Sequence, residues 1–325
     1  MLGQLNMYGM DKVEVSIERF KAFEPEEGYF LAFSGGKDSC VIKALADMAG
    51  VKYDAHYTVT SVDPPELVQF IREYHPDVSM DIPRYPDNYK NEKLRGKQIT
   101  MWNLIPEKKM PPTRIVRYCC ATLKEPHGEG RFVVTGVRHA ESTKRQKRGG
   151  LEMAKKKSHK MTNYDPDEPT DEMFYHCQIY ARKMLNPIID WTEEDVWEFL
   201  HTYNIPYCHL YDEGWKRLGC IGCPMGTVEN RMREFETWSK YKTMYIKAFD
   251  RMIEARNRGG YDNYRKTGAE LMDSYEQGTF KKIGGGTEQS DLVPASIEVH
   301  DKKITAVPRW DDSSTGEEVM NWWIK

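Results

Sequence analysis

Residues Leu31 to Cys40 read LAFSGGKDSC, an apolar run that passes into Ser34-Gly35-Gly36-Lys37-Asp38-Ser39 and then into a helix-patterned stretch. A strand that gives way to a glycine-paired polar turn and then a helix aims several backbone N–H groups at one point. The helix N-terminus adds positive partial charge there. Such a turn is an anion cradle. Ser34 and Ser39 can add hydroxyl donors, Lys37 adds a cation, and Asp38 can hold a magnesium ion. The spacing is not the G-x-x-x-x-G-K-[ST] of the Walker loop, and glycines in a tight turn also serve turn geometry alone.

The cysteines are the second group with chemistry in their spacing. There are seven: Cys40, Cys119, Cys120, Cys177, Cys208, Cys220 and Cys223. The number is odd and four fall in close pairs, which favours a metal site over disulfides. Four thiolates, Cys119, Cys120, Cys220 and Cys223, suit zinc or an iron–sulfur cluster. The adjacency of Cys119 and Cys120 departs from the two-to-four-residue spacing usual in structural zinc sites. Cys40, on the helix after the turn, and Cys208, after Ile205-Pro206-Tyr207, fit core positions, and Cys177 has no supporting context.

These residues need elements to hold them. GYFLAF (28–33) is a short buried-type strand before the turn, and SCVIKALADMAG has helical spacing that stops at Gly50. YDAHYTVT alternates as a strand. PPELVQFIREYH opens with prolines at a helix start, behind Asp63 as a candidate cap. RFVVTGV (131–137) is another strand, ending at Gly136. Alternating strands and helices imply a Rossmann-like parallel sheet with helices on both faces, in which ligands sit beyond the carboxyl ends of the strands. DWTEEDVWEFLHTYNIPY is a further helix with a Thr192–Asp195 capping box. Residues 228–272 look helical, GGGTEQSDLVP reads as a linker, and GEEVMNWWIK as a closing helix.

At ~150 residues per domain, 325 residues suggest about two domains. We expect residues 1–227 to form the nucleotide-binding domain with the four-cysteine site, and 228–325 a helical C-terminal extension. No apolar run approaches the ~18 residues of a membrane helix, and the first residues lack a secretory pattern, so a cytoplasmic, membrane-free protein is expected. The net charge of −3 does not announce a nucleic-acid binder, although residues 144–160 carry eight Lys or Arg against one Glu. That run suits either a solvated loop or contact with phosphate.

Ser34-Gly-Gly-Lys-Asp-Ser39 after an apolar strand resembles the pyrophosphate loop of the N-type ATP pyrophosphatases, a superfamily with an adenine nucleotide alpha hydrolase-like fold. TGVRHAESTKR (135–145) is similar to a motif of the adenylyl-sulfate and phosphoadenylyl-sulfate reductase group. So is LNPIIDWTEEDVWEFLHTYNIPYCHLYDEGWKRLGCIGCP, and together the resemblance covers roughly residues 28–225. It implies that Ser34 to Ser39 and Gly136 bind ATP, and that Arg138, Ser142 and Arg145 face phosphates or sulfate. It also implies a [4Fe–4S] cluster on Cys119, Cys120, Cys220 and Cys223. Reductases of the group attack with a cysteine in a Glu-Cys-Gly-Leu-His motif, and no cysteine follows Cys223 here.

Two activities are therefore expected to compete. The first is an ATP pyrophosphatase that, with Mg2+, adenylates an acceptor for sulfur insertion, as in the relatives of DNA phosphorothioation. It would use a DNA or RNA acceptor and a cysteine desulfurase as sulfur donor, with Lys37, Asp38, Arg138 and Arg145 as its working residues. The alternative is an adenylyl-sulfate or phosphoadenylyl-sulfate reductase with a non-standard thiol, Cys40 or Cys208. A cluster-bearing nucleotide sensor is a third, non-catalytic class, against which the intact loop argues. The reductase group's habit suggests a homo-oligomer.

Overall fold

The computed structural model describes residues 3–6, 9–124, 128–143, 145–154, 162–167, 182–258, 297–300, 303–306, 310 and 314–324. The chain divides into two compact units, each built from two stretches of sequence. One comprises Met1–Pro83 with Leu123–Cys220, the other Arg84–Thr122 with Ile221–Lys325.

The first unit is a seven-stranded sheet. In chain order it holds α1 (Lys12–Ala22), β1 (Tyr29–Ala32), α2 (Lys37–Ala49), β2 (Tyr53–Thr58), α3 (Pro65–Tyr74), β3 (Ser79–Asp81) and β4 (Phe132–Val134). Then come β5 (Leu151–Ala154), β6 (Thr162–Tyr164), β7 (Arg182–Leu185) and α6 (Glu193–Thr202). The strand order is β3-β2-β1-β4-β7-β5-β6. Strands β3 to β7 along that order are parallel, whereas β5 runs antiparallel to both β7 and β6. The sheet is thus α/β and mainly parallel, with an antiparallel edge that alternating elements did not reveal.

The parallel centre reads as apolar because it is buried: Tyr29, Leu31 and Val134 are fully enclosed. Helix α2 ends where expected, at a left-handed Gly50. Helix α6 begins with the expected reciprocal cap between Thr192 and Asp195. Asp63 does not cap α3, whose cap position is Pro64. Its carboxylate turns back to accept from the Thr60 N–H at 3.0 Å and the Thr60 hydroxyl at 2.7 Å, closing the loop after β2. Helix α1 is anchored by buried Arg19, which donates to the Pro187 carbonyl and pairs with Asp167 and Asp190. Asp190 therefore serves the helix-start framework.

The second unit is helical. It contains α4 (Met101–Lys108), most of α5 (Tyr118–Leu123), α7 (Val228–Thr237), α8 (Ser239–Arg258), a β8–β9 hairpin (Ile297–His300 and Lys303–Ala306) and α9 (Gly316–Ile324). The expected helix from 228 is two helices, interrupted at Trp238 (φ −113°, ψ 60°), and its stretch beyond Arg258 lies outside the described residues. The closing helix is present as α9. Phe235, Tyr245, Phe249 and Trp323 form the unit's aromatic core. Buried Arg231 donates to the Trp323 and Ile324 carbonyls, satisfying the end of α9. No described helix is long and apolar enough to cross a membrane.

Candidate functional site

Three loops of the first unit converge, because β1, β4 and β7 are neighbouring parallel strands and their carboxyl ends lie side by side. The loop after β1 carries Ser34 to Lys37 into α2. The loop after β4 carries Gly136 and Arg138. The loop after β7 leads to Thr192 and Glu193 at the start of α6. Gly136 eases a close approach: a β-carbon there would stand 3.1 Å from the backbone and Cβ of Asp38, so a larger residue would push the β4 loop a few tenths of an ångström off the first turn of α2.

Four charged side chains close a ring at this point. Lys37 Nζ lies 3.3 Å from Asp38 Oδ2 and 3.3 Å from Glu193 Oε1. Arg138 Nε donates to Asp38 Oδ1 at 2.6 Å, and its Nη2 to Glu193 Oε2 at 2.7 Å. Arg138 is 2% exposed and Lys37 7%, against 48% for Glu193. Burial works against the Arg138 charge, but the Asp38 and Glu193 carboxylates more than offset it and raise its pKa. Two buried cations beyond the strand ends are the arrangement that an anionic ligand needs.

The loop itself is tightly tied. The Ser39 hydroxyl donates to the Gly36 carbonyl at 2.7 Å and accepts from Ser34 at 3.3 Å. The Lys37 N–H donates to the Tyr211 hydroxyl at 3.0 Å. The Lys37 Nζ also lies 5.7 Å from the centre of the Tyr211 ring, and burial raises the Tyr211 phenol pKa. Glu193 and Tyr211 were not singled out from sequence. The signal for Glu193 was its place directly after the Thr192 cap, while Tyr211 lies in a loop with no pattern.

Arg145 and Ser142 lie beyond Arg138. The Arg145 guanidinium pairs with Glu141, whose carboxylate also accepts the Arg138 N–H at 3.0 Å, and the Arg145 N–H approaches the Ser142 hydroxyl at 3.3 Å. In the same basic run Arg148 pairs with buried Glu152. Lys144 and Lys155 to Lys157 lie outside the described residues, as do His176 and Cys177.

Cys119 and Cys120 sit on α5, and Cys220 and Cys223 flank the turn at Gly222. All four are partly exposed thiols, while Cys40 and Cys208 are buried. Four accessible thiols match the donor chemistry of a cluster. Among the described residues, however, no three His, Cys, Asp or Glu side chains stand together as a metal site. Cys220 Sγ instead approaches Thr60 Oγ1 at 3.7 Å. For magnesium the side chains offer little, because Asp38 and Glu193 each already bridge two cations; a magnesium ion would be carried mainly by phosphate oxygens.

The buried thiols are chemically quiet. Cys40 lies 3.9 Å from His75 Nε2, a pairing that would resemble an activated thiol at the surface. Here burial, then Asp38, pushes the Cys40 thiol up, and burial, then Lys43, lowers His75 to about 4. The pair is neutral at pH 7. Burial also raises Cys208.

The profile of the phosphoadenosine phosphosulfate reductase domain matches residues 28–225, more than half of the chain. The chain belongs to the phosphoadenosine phosphosulfate reductase domain family. Among curated relatives it is 26% identical over 238 residues to an uncharacterized protein of Methanocaldococcus jannaschii, taking in 71% of this chain and 48% of that protein. It is 24% identical over 183 residues to the adenosine 5'-phosphosulfate reductase of Oceanobacillus iheyensis, or 55% of this chain and 60% of that one. The chain spans about half the length of the first curated relatives it matches. Among solved structures, the phosphoadenylyl-sulfate reductase of Candida auris in a phosphate complex covers 67% of this chain and 96% of its own, with 14% identity and a TM-score of 0.40. The family match contains the whole charged ring and both cysteine pairs.

Proposed function

We propose that this protein is a sulfur-related enzyme of the pyrophosphate-loop type that cleaves ATP to AMP and pyrophosphate while adenylating an acceptor. The observation that carries the reading is the pair of buried cations, Lys37 and Arg138, set beyond the ends of β1 and β4 around the Ser34–Ser39 loop. An acceptor oxygen attacks the α-phosphorus, pyrophosphate leaves, and Lys37 and Arg138 meet the charge that develops on it. Asp38 holds both cations at the loop, and Gly136 lets the two loops touch. Arg145, which pairs with Glu141 in the structure, and Ser142 complete the proposed ligand contacts. A sulfur nucleophile, delivered by a partner such as a cysteine desulfurase, then displaces AMP. The acceptor is a nucleic acid, with Lys155 to Lys157 supplying its phosphate contacts.

A [4Fe–4S] cluster on Cys119, Cys120, Cys220 and Cys223 belongs to this reading. When bound, it supplies either a sulfur-binding iron or a redox centre; no step above depends on it. A second reading, reduction of an adenylyl sulfate, is favoured by the family match. It is opposed by the burial of Cys40 and Cys208, the two non-standard thiols considered for it. The test is the fate of labelled ATP supplied with magnesium: AMP with pyrophosphate supports the proposal, and ADP with phosphate contradicts it.

A further inference from the structure

The ring of Lys37, Asp38, Arg138 and Glu193 carries two positive and two negative charges, so it sums to zero. A site of zero net charge is a poor attractor for a polyphosphate. One carboxylate must give way if the cations are to reach phosphate oxygens.

The two carboxylates are not equivalent. Asp38 belongs to the first turn of α2, lies against Gly136, and is held by Arg138 at 2.6 Å; its side chain is 23% exposed. Glu193 reaches the ring from another element, the first turn of α6, and is 48% exposed. Its departure hydrates a carboxylate that is already half-exposed, whereas that of Asp38 would strip buried Arg138 of its shortest contact. A related arrangement occurs at the loop backbone, where the Tyr211 hydroxyl takes the Lys37 N–H that a phosphate oxygen would accept.

We infer that Glu193 is an exchangeable counter-ion that occupies Lys37 and Arg138 until a polyphosphate displaces it, and so sets the affinity of the phosphate site. The inference rests on the pyrophosphate-loop reading above. Glu193 is a positioning residue: it preserves the two cations in their places without ligand, at the expense of binding strength.

The experiment is calorimetric titration of inorganic pyrophosphate into the full chain, its Glu193→Gln variant and a Glu194→Gln control, at two ionic strengths, with thermal melts of all three. The glutamine amide keeps an acceptor for Arg138 and loses the charge. The dissociation constant should fall about tenfold in Glu193→Gln at low salt, the effect of one unit charge a few ångströms from the ligand. The gain should shrink at high salt, and Glu194→Gln should change little. Unchanged or weaker binding in Glu193→Gln with an unchanged melt, or an equal gain in Glu194→Gln, would overturn the counter-ion role and leave the loop reading standing. Absence of pyrophosphate binding by the unaltered protein would overturn both.

Discussion

Arg138 Nε and Asp38 Oδ1 meet at 2.6 Å across one hundred residues of chain, joining the loop after β4 to the first turn of α2. This bond ties the two conspicuous sequence features, the Ser34–Ser39 loop and the 135–145 motif, into one site. The guanidinium also reaches Glu193, so three elements depend on one side chain.

Arg138→Lys should therefore be far from conservative. An ammonium cannot hold Asp38 and Glu193 with the fixed fork of a guanidinium. Pyrophosphate release should fall by at least about a hundredfold, or about 2.7 kcal/mol of barrier. Steady-state assays beside a thermal melt check this; near-normal turnover would remove Arg138 from the machinery.

Gly222 joins the C-x-x-C turn to the core of the helical unit. Its φ is +73°, and a β-carbon would stand 2.5 Å from the Phe235 ring and 3.0 Å from Trp323. Gly222→Ala should destabilise that unit by about 1–3 kcal/mol, combining left-handed strain with overpacking. Chemical denaturation monitored by tryptophan fluorescence would report it.

His75 predicts a pH dependence. It is buried between Phe33 and Phe70 and faces Cys40, with Lys43, Asp47 and Asp77 around it. Burial, then Lys43, lowers its pKa to about 4, below the ordinary value of 6.5. Between these values the unfolded chain binds the extra proton, so the stability tied to neutral His75 is full above pH 6.5 and is lost as pH falls toward 4. The loss is at most about 3 kcal/mol. His75→Phe should flatten this part of the stability profile; parallel profiles for both proteins would contradict it.

The cluster proposal has a spectroscopic outcome. Anaerobically purified protein should carry iron and a broad absorbance near roughly 400 nm, and Cys220→Ala should lose both. Zinc in place of iron, or an unchanged spectrum in the variant, would reject the cluster or its ligand.

Much of the sheet and loop was legible in the sequence, because buried parallel strands are continuous apolar runs and Gly50 and Thr192 mark helix ends chemically. The glycine-paired stretch from Ser34 to Ser39 likewise marked the turn from β1 into α2. Glu193 was hidden: its role depends on β7 lying beside β4, a long-range pairing that no local pattern encodes. The antiparallel β5–β6 edge was hidden by the charged run around Arg145 to Arg148, whose pairing with Glu141 and Glu152 looks on paper like a solvated loop. Residues 84–122 hold α4 and most of α5, and nothing local says that they group with the C-terminal helices.

The central claim is best tested by measuring pyrophosphate from ATP and sulfite from adenylyl sulfates in the same anaerobic preparation, with and without DNA and tRNA and with a thiol reductant for the second reaction. Pyrophosphate without sulfite, stimulated by one nucleic acid, is the predicted result and would identify the acceptor class. Sulfite without pyrophosphate would contradict it, and would mean that the cradle of Lys37 and Arg138 holds a sulfonucleotide.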